Sequence, residues 1–326
     1  MRRIDVHTHF LCLDFVKHLQ GRSALPKTVL EGGVYVMQCA AGLRLPTVPN
    51  IVDMDVKLKD CDAIGIELSV LSHGIPGPDV LGGDEADDWA SRINDDLAGI
   101  IERYPGRFLG FGNVGFGTVE RSIAEVDRCV RQLGFKGIQL FSNVNNRVLD
   151  SPEFMPVYRH IAELGVPLNM HPGIPLNQVG VDRSSLMVTL AFLFDTALNT
   201  VRLIETGLFD ETPDLKLIVP HIGGVLPYLK GRLASYGHHT LQFHDMPELR
   251  KPLREYLHEL YIDTVCYHPE ALDYCYRLLG PDRILYGTDH PFGDYTVAAD
   301  MVERMDWPAA DREKVYEGNA RALLGL

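Results

Sequence analysis

The sequence predicts a single (β/α)8 barrel. Three observations point to it. The 326 residues alternate short apolar runs with amphipathic helical stretches. Eight such runs occur, and eight parallel strand–helix units in about 300 residues fit one barrel. No GxGxxG follows the first run, which weakens the dinucleotide-binding form of a doubly wound sheet.

The elements follow in order. "IDVH" (4–7) is the first strand. A helix around 53–64 precedes the second, "ELSVLS" (67–72). A long helix around 86–104 leads to "FLGFGN" (108–113), and one around 118–133 to "GIQLF" (137–141). Helices around 153–164 and 186–206 precede "PLNMH" (167–171) and "LKLIVPH" (215–221). "LYIDT" (260–264) and "RILYGTD" (283–289) complete the set. The stretch 10–52 does not fit the repeat: it is long and carries "EGG", "AAG" and "LPTVP". We expect one domain over residues 1–326, with 10–52 inserted after the first strand and lying over the barrel mouth.

Composition narrows the function. Hydrophobic residues at 46% can bury a large core, and a net charge of -13 argues against nucleic acid, which needs a basic face. An acidic chain can still hold an anionic small molecule through a local Arg or a metal. The six cysteines form no CxxC pair and are expected as reduced, buried thiols. No signal peptide and no apolar run of about 18 residues is read, so neither a membrane span nor a membrane partner is expected. The expected location is cytoplasmic.

The chemistry is concentrated at strand ends. Side chains at i and i+2 of a strand share a face, so His7 and His9 in "HTH" can both point inward. They lie at the C-terminal end of the first strand, where barrel active sites are built. The fifth strand ends in "NMHPG" with His171, the sixth in "PHIGG" with His221, and the eighth in "GTDHPFG" with Asp289. Each polar group stands between an apolar strand and a Gly or Pro turn. A buried charge there is costly unless paired or coordinated, so imidazoles and a carboxylate converging from four strand ends read as a catalytic metal site. Such donors suit Zn2+ first, with Mn2+, Fe2+ or Co2+ also compatible.

These motifs resemble the amidohydrolase superfamily over nearly the whole chain. "NMHPG", "PHIGG" and "GTDHPFG" are most similar to its branch containing aminocarboxymuconate-semialdehyde decarboxylase and related aromatic-acid decarboxylases. The resemblance implies that His7, His9, His171 and Asp289 bind one divalent metal. It implies that His221 does not ligate but acts as a catalytic acid or base, with Asp289 able to move a proton too. The implied reaction is non-oxidative decarboxylation of an unsaturated or aromatic carboxylic acid, with lactone, amide or ester hydrolysis as the alternative. Many members bridge two metals through a carbamylated lysine after the fourth strand. Here Lys136 precedes that strand, which ends in Leu140, Phe141 and Ser142, so one metal is expected.

Substrate contacts are less sharply marked. Arg232, eleven residues after His221, is the resemblance's candidate for the substrate carboxylate. In relatives it can come from a neighbouring subunit, which also implies a homodimer. Arg44 and Lys27 in the insertion are further candidates, as are His73 and Asn113 at strand ends and Phe292 in "HPFG". His290 adjoins Asp289 but should face the other way. His238, His239 and His244 cluster in "GHHTLQFHD" without strand-end placement, so a second metal there is not favoured. Aminocarboxymuconate-semialdehyde decarboxylase itself carries a Trp after the fifth-strand histidine and an Arg in the first helix. This chain has "SSLMVTLAFLFDTA" and Lys57 with Lys59 there, so its substrate is expected to differ.

Overall fold

The computed structural model describes residues 2–181, 183–236 and 248–326. Eleven strands among them form two sheets. The larger is the predicted barrel: β1 (Ile4–Phe10), β5 (Leu68–His73), β6 (Phe108–Gly112), β7 (Gly137–Phe141), β8 (Leu168–His171), β9 (Leu217–Val219), β10 (Tyr261–Asp263) and β11 (Ile284–Leu285), each beside the next. All observed pairings are parallel. β1, β7 and β8 are buried along their whole length, as expected when helices cover one face and the barrel interior the other.

The barrel closes between β11 and β1. Val6 N donates to Tyr286 O at 3.0 Å, Asp289 N to His7 O at 2.7 Å, and His9 N to His290 O at 2.9 Å. The closing seam therefore runs through the residues expected to carry the chemistry. Two strands end earlier than the apolar runs suggest. β9 stops at Val219 and β11 at Leu285, so His221 and Asp289 stand in the turns beyond them. Both have left-handed backbone, φ 55° and φ 61°.

The helices start where side chains can satisfy free N–H groups. Asp53 caps Met54–Ala63 by accepting from Asp55 N and Val56 N, and Thr118 caps Val119–Asp127 by accepting from Arg121 N. Gly83–Arg103 turns Ala86, Trp89, Ala90, Ile93 and Leu97 inward at helical spacing, and these pack toward the strands.

The segment between β1 and β5 holds a second sheet that the sequence did not announce. β2 (Lys27–Glu31), β3 (Val34–Ala40) and β4 (Leu43–Pro46) form an antiparallel meander. Gly32 and Gly33, at φ 57° and 86°, make the two-residue turn between β2 and β3, a position where positive φ at both residues suits glycine. Cys39, Ala40, Leu43 and Ile51 share a buried cluster with Ile75, Phe141 and the ring of Phe292.

The helix Met187–Glu205 has the length and mean hydropathy of a membrane span, but Thr189, Asp195, Asn199 and Arg202 interrupt it, so it is not a continuous apolar run. Half of its most apolar window is buried within the fold. It covers β8, with Thr200 Oγ1 against Met170 Sδ at 3.6 Å. It leaves Leu190, Phe194 and Leu198 half exposed on its outer side. The six cysteines are unpaired and buried, as expected.

Candidate metal centre

Each of the three strand-end histidines has its Nδ1 engaged by the scaffold. His7 Nδ1 lies 2.6 Å from Asp263 Oδ2, where it donates to the carboxylate at the end of β10. His9 Nδ1 lies 3.1 Å from Ser72 Oγ on β5. His171 Nδ1 lies 2.9 Å from Pro172 O, where it donates to the carbonyl. This leaves the three Nε2 atoms to face one another. Together with a carboxylate oxygen of Asp289 they lie within 4.8 Å of one another. His9 Nε2 is 3.1 Å and His7 Nε2 3.4 Å from Asp289 Oδ1. His7 Nε2 is buried with no hydrogen-bond partner. A buried nitrogen left orphaned amid converging imidazoles and a carboxylate fits a metal ion, and these four residues could hold one divalent cation.

The electrostatics match. Burial alone would lower the pKa of His7, but Asp289 and Asp263 outweigh it and raise it to about 9. Burial lowers His9 to about 4 and takes His171 well below its ordinary value. Burial works to raise Asp289, yet His7, His221 and His9 hold its carboxyl well below the usual range. The cluster thus favours positive charge at its centre while keeping two imidazoles neutral, as metal ligation requires.

His221 sits beside the cluster. Its Nε2 is 3.6 Å from Asp289 Oδ2, its ring centroid is 5.1 Å from that of His7, and its Nδ1 has no partner. The left-handed backbone at His221 and Ile222 turns the chain sharply after β9. Asp263 Oδ1 accepts from Ile222 N at 3.3 Å, so one carboxylate orients His7 and anchors the His221 turn. Sequence reading passed over Asp263 and Ser72. The available signal for Asp263 was the one used for the histidines, a polar group closing an apolar barrel strand ("YID").

A family model described as amidohydrolase matches residues 4–326. The chain belongs to the amidohydrolase family. It lies in the branch that contains aminocarboxymuconate-semialdehyde decarboxylase. The enzyme of that activity from Dictyostelium discoideum is 31% identical over 290 residues, covering 85% of this chain and 78% of its own. A gamma-resorcylate decarboxylase from Polaromonas sp. is 32% identical over 289 residues, covering 85% and 88%. The crystal structure of a dihydroxybenzoic acid decarboxylase from Polaromonas sp., with bound manganese and the inhibitor 2-nitroresorcinol, superposes with a TM-score of 0.85. It is 28% identical, covering 100% of this chain and 97% of the other.

Behind this amidohydrolase centre lies a buried polar relay. Lys57 is fully buried, and burial lowers its pKa to about 8. Its Nζ donates to Thr8 Oγ1 at 3.0 Å and to His290 Nδ1 at 2.7 Å, and His290 Nε2 lies 3.0 Å from Asp60 Oδ2. Asp5 accepts from Thr288 Oγ1 at 2.6 Å and from His7 N at 3.0 Å. These bonds pin β1 to the turn that carries Asp289. His290 faces away from the four donors, as its alternation with Asp289 predicts. Lys57 is structural in these contacts, and Lys59 is exposed.

The other candidates are dispersed. The ring of Phe292 lies 5.5 Å from that of His9. His73 is fully buried between Phe10 and Phe15, at 5.4 and 5.6 Å, and burial lowers its pKa to about 3. Arg44 on β4 pairs with Glu31 at 2.5 Å, Lys27 begins β2, and Arg232 is exposed on the helix Leu226–Tyr236. Asn113 is buried against Asn94. Lys136 precedes β7, at the opposite end of the barrel from the cluster. His238, His239 and His244 lie outside the described residues.

Two expected results follow. Asp263→Asn should weaken metal binding by about 10–100-fold in a chelator-buffered titration, the usual effect of disturbing a ligand's outer partner. Lys57→Met should lower unfolding stability by about 1–3 kcal/mol in urea titration, because it leaves Thr8 and His290 without their buried donor.

Proposed function

We propose that this amidohydrolase is a metal-dependent, non-oxidative decarboxylase of an unsaturated or aromatic carboxylic acid. The observation that carries it is the pairing of one four-donor centre with a separate, partly accessible imidazole, His221, 3.6 Å from Asp289. The two named decarboxylases that cover 85% of the chain support the same reading.

We assign His7, His9, His171 and Asp289 as the residues that would hold the ion. Three imidazoles and a carboxylate suit zinc, and manganese is the second candidate because the Polaromonas structure holds it. Bound there, the ion would supply Lewis-acid stabilisation of negative charge on the substrate. His221 serves as the proton donor. When the bond between the substrate carbon and its carboxylate breaks, CO2 leaves and the electron pair stays on carbon. The proton held at His221 Nε2 then moves to that carbon, with Asp289 Oδ2 orienting the ring. Phe292, its ring 5.5 Å from that of His9, is our candidate for an apolar contact with the substrate. Arg232 and Arg44 are our candidates for the substrate's charged groups, with His73 at the end of β5 as a further contact.

We read residues 10–52 as the cover of the barrel mouth, which the packing of Cys39, Leu43 and Ile51 on Phe141 and Phe292 supports. We also read the chain as a homodimer. Leu190, Phe194 and Leu198, each at least half exposed and spaced four residues apart, support a face that a second copy covers. Six unpaired cysteines support a reducing, cytoplasmic location.

The test is turnover in D2O. A decarboxylase leaves one solvent deuterium on the carbon that carried the carboxylate. Uptake of solvent oxygen with no loss of CO2 would instead place the chain among hydrolytic members.

A further inference from the structure

We infer that the cleft beside the metal centre is a subsite for the far end of the substrate, taking an anionic group on Arg22 and a hydroxyl or amino donor on Asp79. This deepens the decarboxylase reading and rests on it.

The cleft measures about 920 Å3 including its open mouth. One wall comes from the segment between β1 and β5, with Arg22, Cys39 and Ala40. The others come from the stretches that follow β5, β7 and β8, so the cleft lies at the barrel end that carries the histidines. Phe141 joins the two. It ends β7, lines the cleft, and its ring is 6.0 Å from that of His171. An aromatic acid reacting at the centre would reach past Phe141 into this space.

Two polar side chains there lack the partners their burial and charge demand. Arg22 uses its Nε to donate to Pro26 O at 2.9 Å, and among the described residues no carboxylate pairs with it. Many other arginines of this acidic chain are paired, among them Arg44, Arg107, Arg121, Arg128 and Arg202. A guanidinium left unpaired on a cleft wall is an anion receptor with a planar fork for carboxylate. Asp79 is 5% exposed, and its Oδ1 has no hydrogen-bond partner. Its Oδ2 accepts from Asn145 N at 3.4 Å. Burial pushes the Asp79 carboxyl up to about 7. A buried oxygen without a partner costs free energy that a ligand's O–H or N–H would recover.

The local backbone is built to hold this arrangement. Asn145 and Asn146 both adopt left-handed φ, 46° and 61°, which brings Asn145 N to Asp79. Gly77 lets Phe141 and Asp79 close over it. A Cβ there would collide with the edge of the Phe141 ring and stand 2.5 Å from Asp79 Oδ1. Nothing in the catalytic assignment uses Arg22, Gly77 or Asp79.

The probes are β-resorcylate and the dihydroxyisophthalate that carries one hydroxyl beside each carboxylate. The second is the first with a carboxylate added beside its far hydroxyl. Calorimetric titration of both into the metal-loaded protein should show the dihydroxyisophthalate binding at least ten-fold tighter. Arg22→Met should erase that preference while leaving β-resorcylate affinity and metal content unchanged. Asp79→Ala should weaken both acids by a similar factor, since both carry the far hydroxyl, and Asp79→Asn, which keeps an acceptor and the shape, should weaken them less. Equal affinity of the two acids for wild type would overturn the inference. So would an Arg22→Met protein that weakens on both acids alike. Failure of the decarboxylase reading looks different: preferential, Arg22-dependent binding with no CO2 released from any acid.

Discussion

His171→Ala should purify without metal and release no measurable CO2 from acids that the parent protein decarboxylates. The ring is nearly buried, and its Nδ1 is fixed by Pro172 O, so Nε2 has one direction to face. It lies 4.5 Å from the ring of His9 and 5.4 Å from that of His7. Disturbing a partner outside the ligand set costs about 10–100-fold in affinity, so removal of a ligand should exceed that range. The measurement is metal content after dialysis against a weak chelator, beside the CO2 rate. A full equivalent of retained metal would remove His171 from the set.

The second large effect is expected at His221, and the backbone decides which variant to make. At φ 55° an alanine carries a strain of about 1–2 kcal/mol that has nothing to do with catalysis. Asparagine tolerates the left-handed region and cannot exchange a proton near neutral pH. His221→Asn should therefore keep its metal and its melting temperature while kcat falls by about 10²–10⁴-fold, the range for a lost general acid. The KM should change little, since the proton moves after binding. Wild-type kcat in this variant would show that the proton comes from elsewhere.

How legible was all this before folding? The barrel was, because eight apolar runs each sit between helical stretches, and the structure forms a strand within every one. The centre was legible because the histidines and Asp289 all close such runs. What the sequence hid follows from physics that spacing does not encode. β9 and β11 stop at Val219 and Leu285, and His221 and Asp289 stand beyond them in left-handed backbone, which no residue pattern here announces. Asp263 looks like any strand-end aspartate until β10 brings it 2.6 Å from His7. Lys57 reads as a helix-surface lysine, and only the closing seam shows its ammonium buried against Thr8 and His290. The β2–β4 meander was masked by its glycines and prolines, which make its turns but dilute its strands. The helix Met187–Glu205 was read as an ordinary barrel helix because its apolar residues lie on both an inner and an outer face.

The central claim is that one divalent ion held by His7, His9, His171 and Asp289 supports decarboxylation. The most direct measurement is a metal analysis of the purified protein paired with CO2 release over a panel of aromatic and muconate-type acids. The account predicts about one metal ion per chain and CO2 evolution that stops on chelation and returns on metal addition. Protein that takes up no metal, or that evolves CO2 equally well after complete chelation, would contradict it.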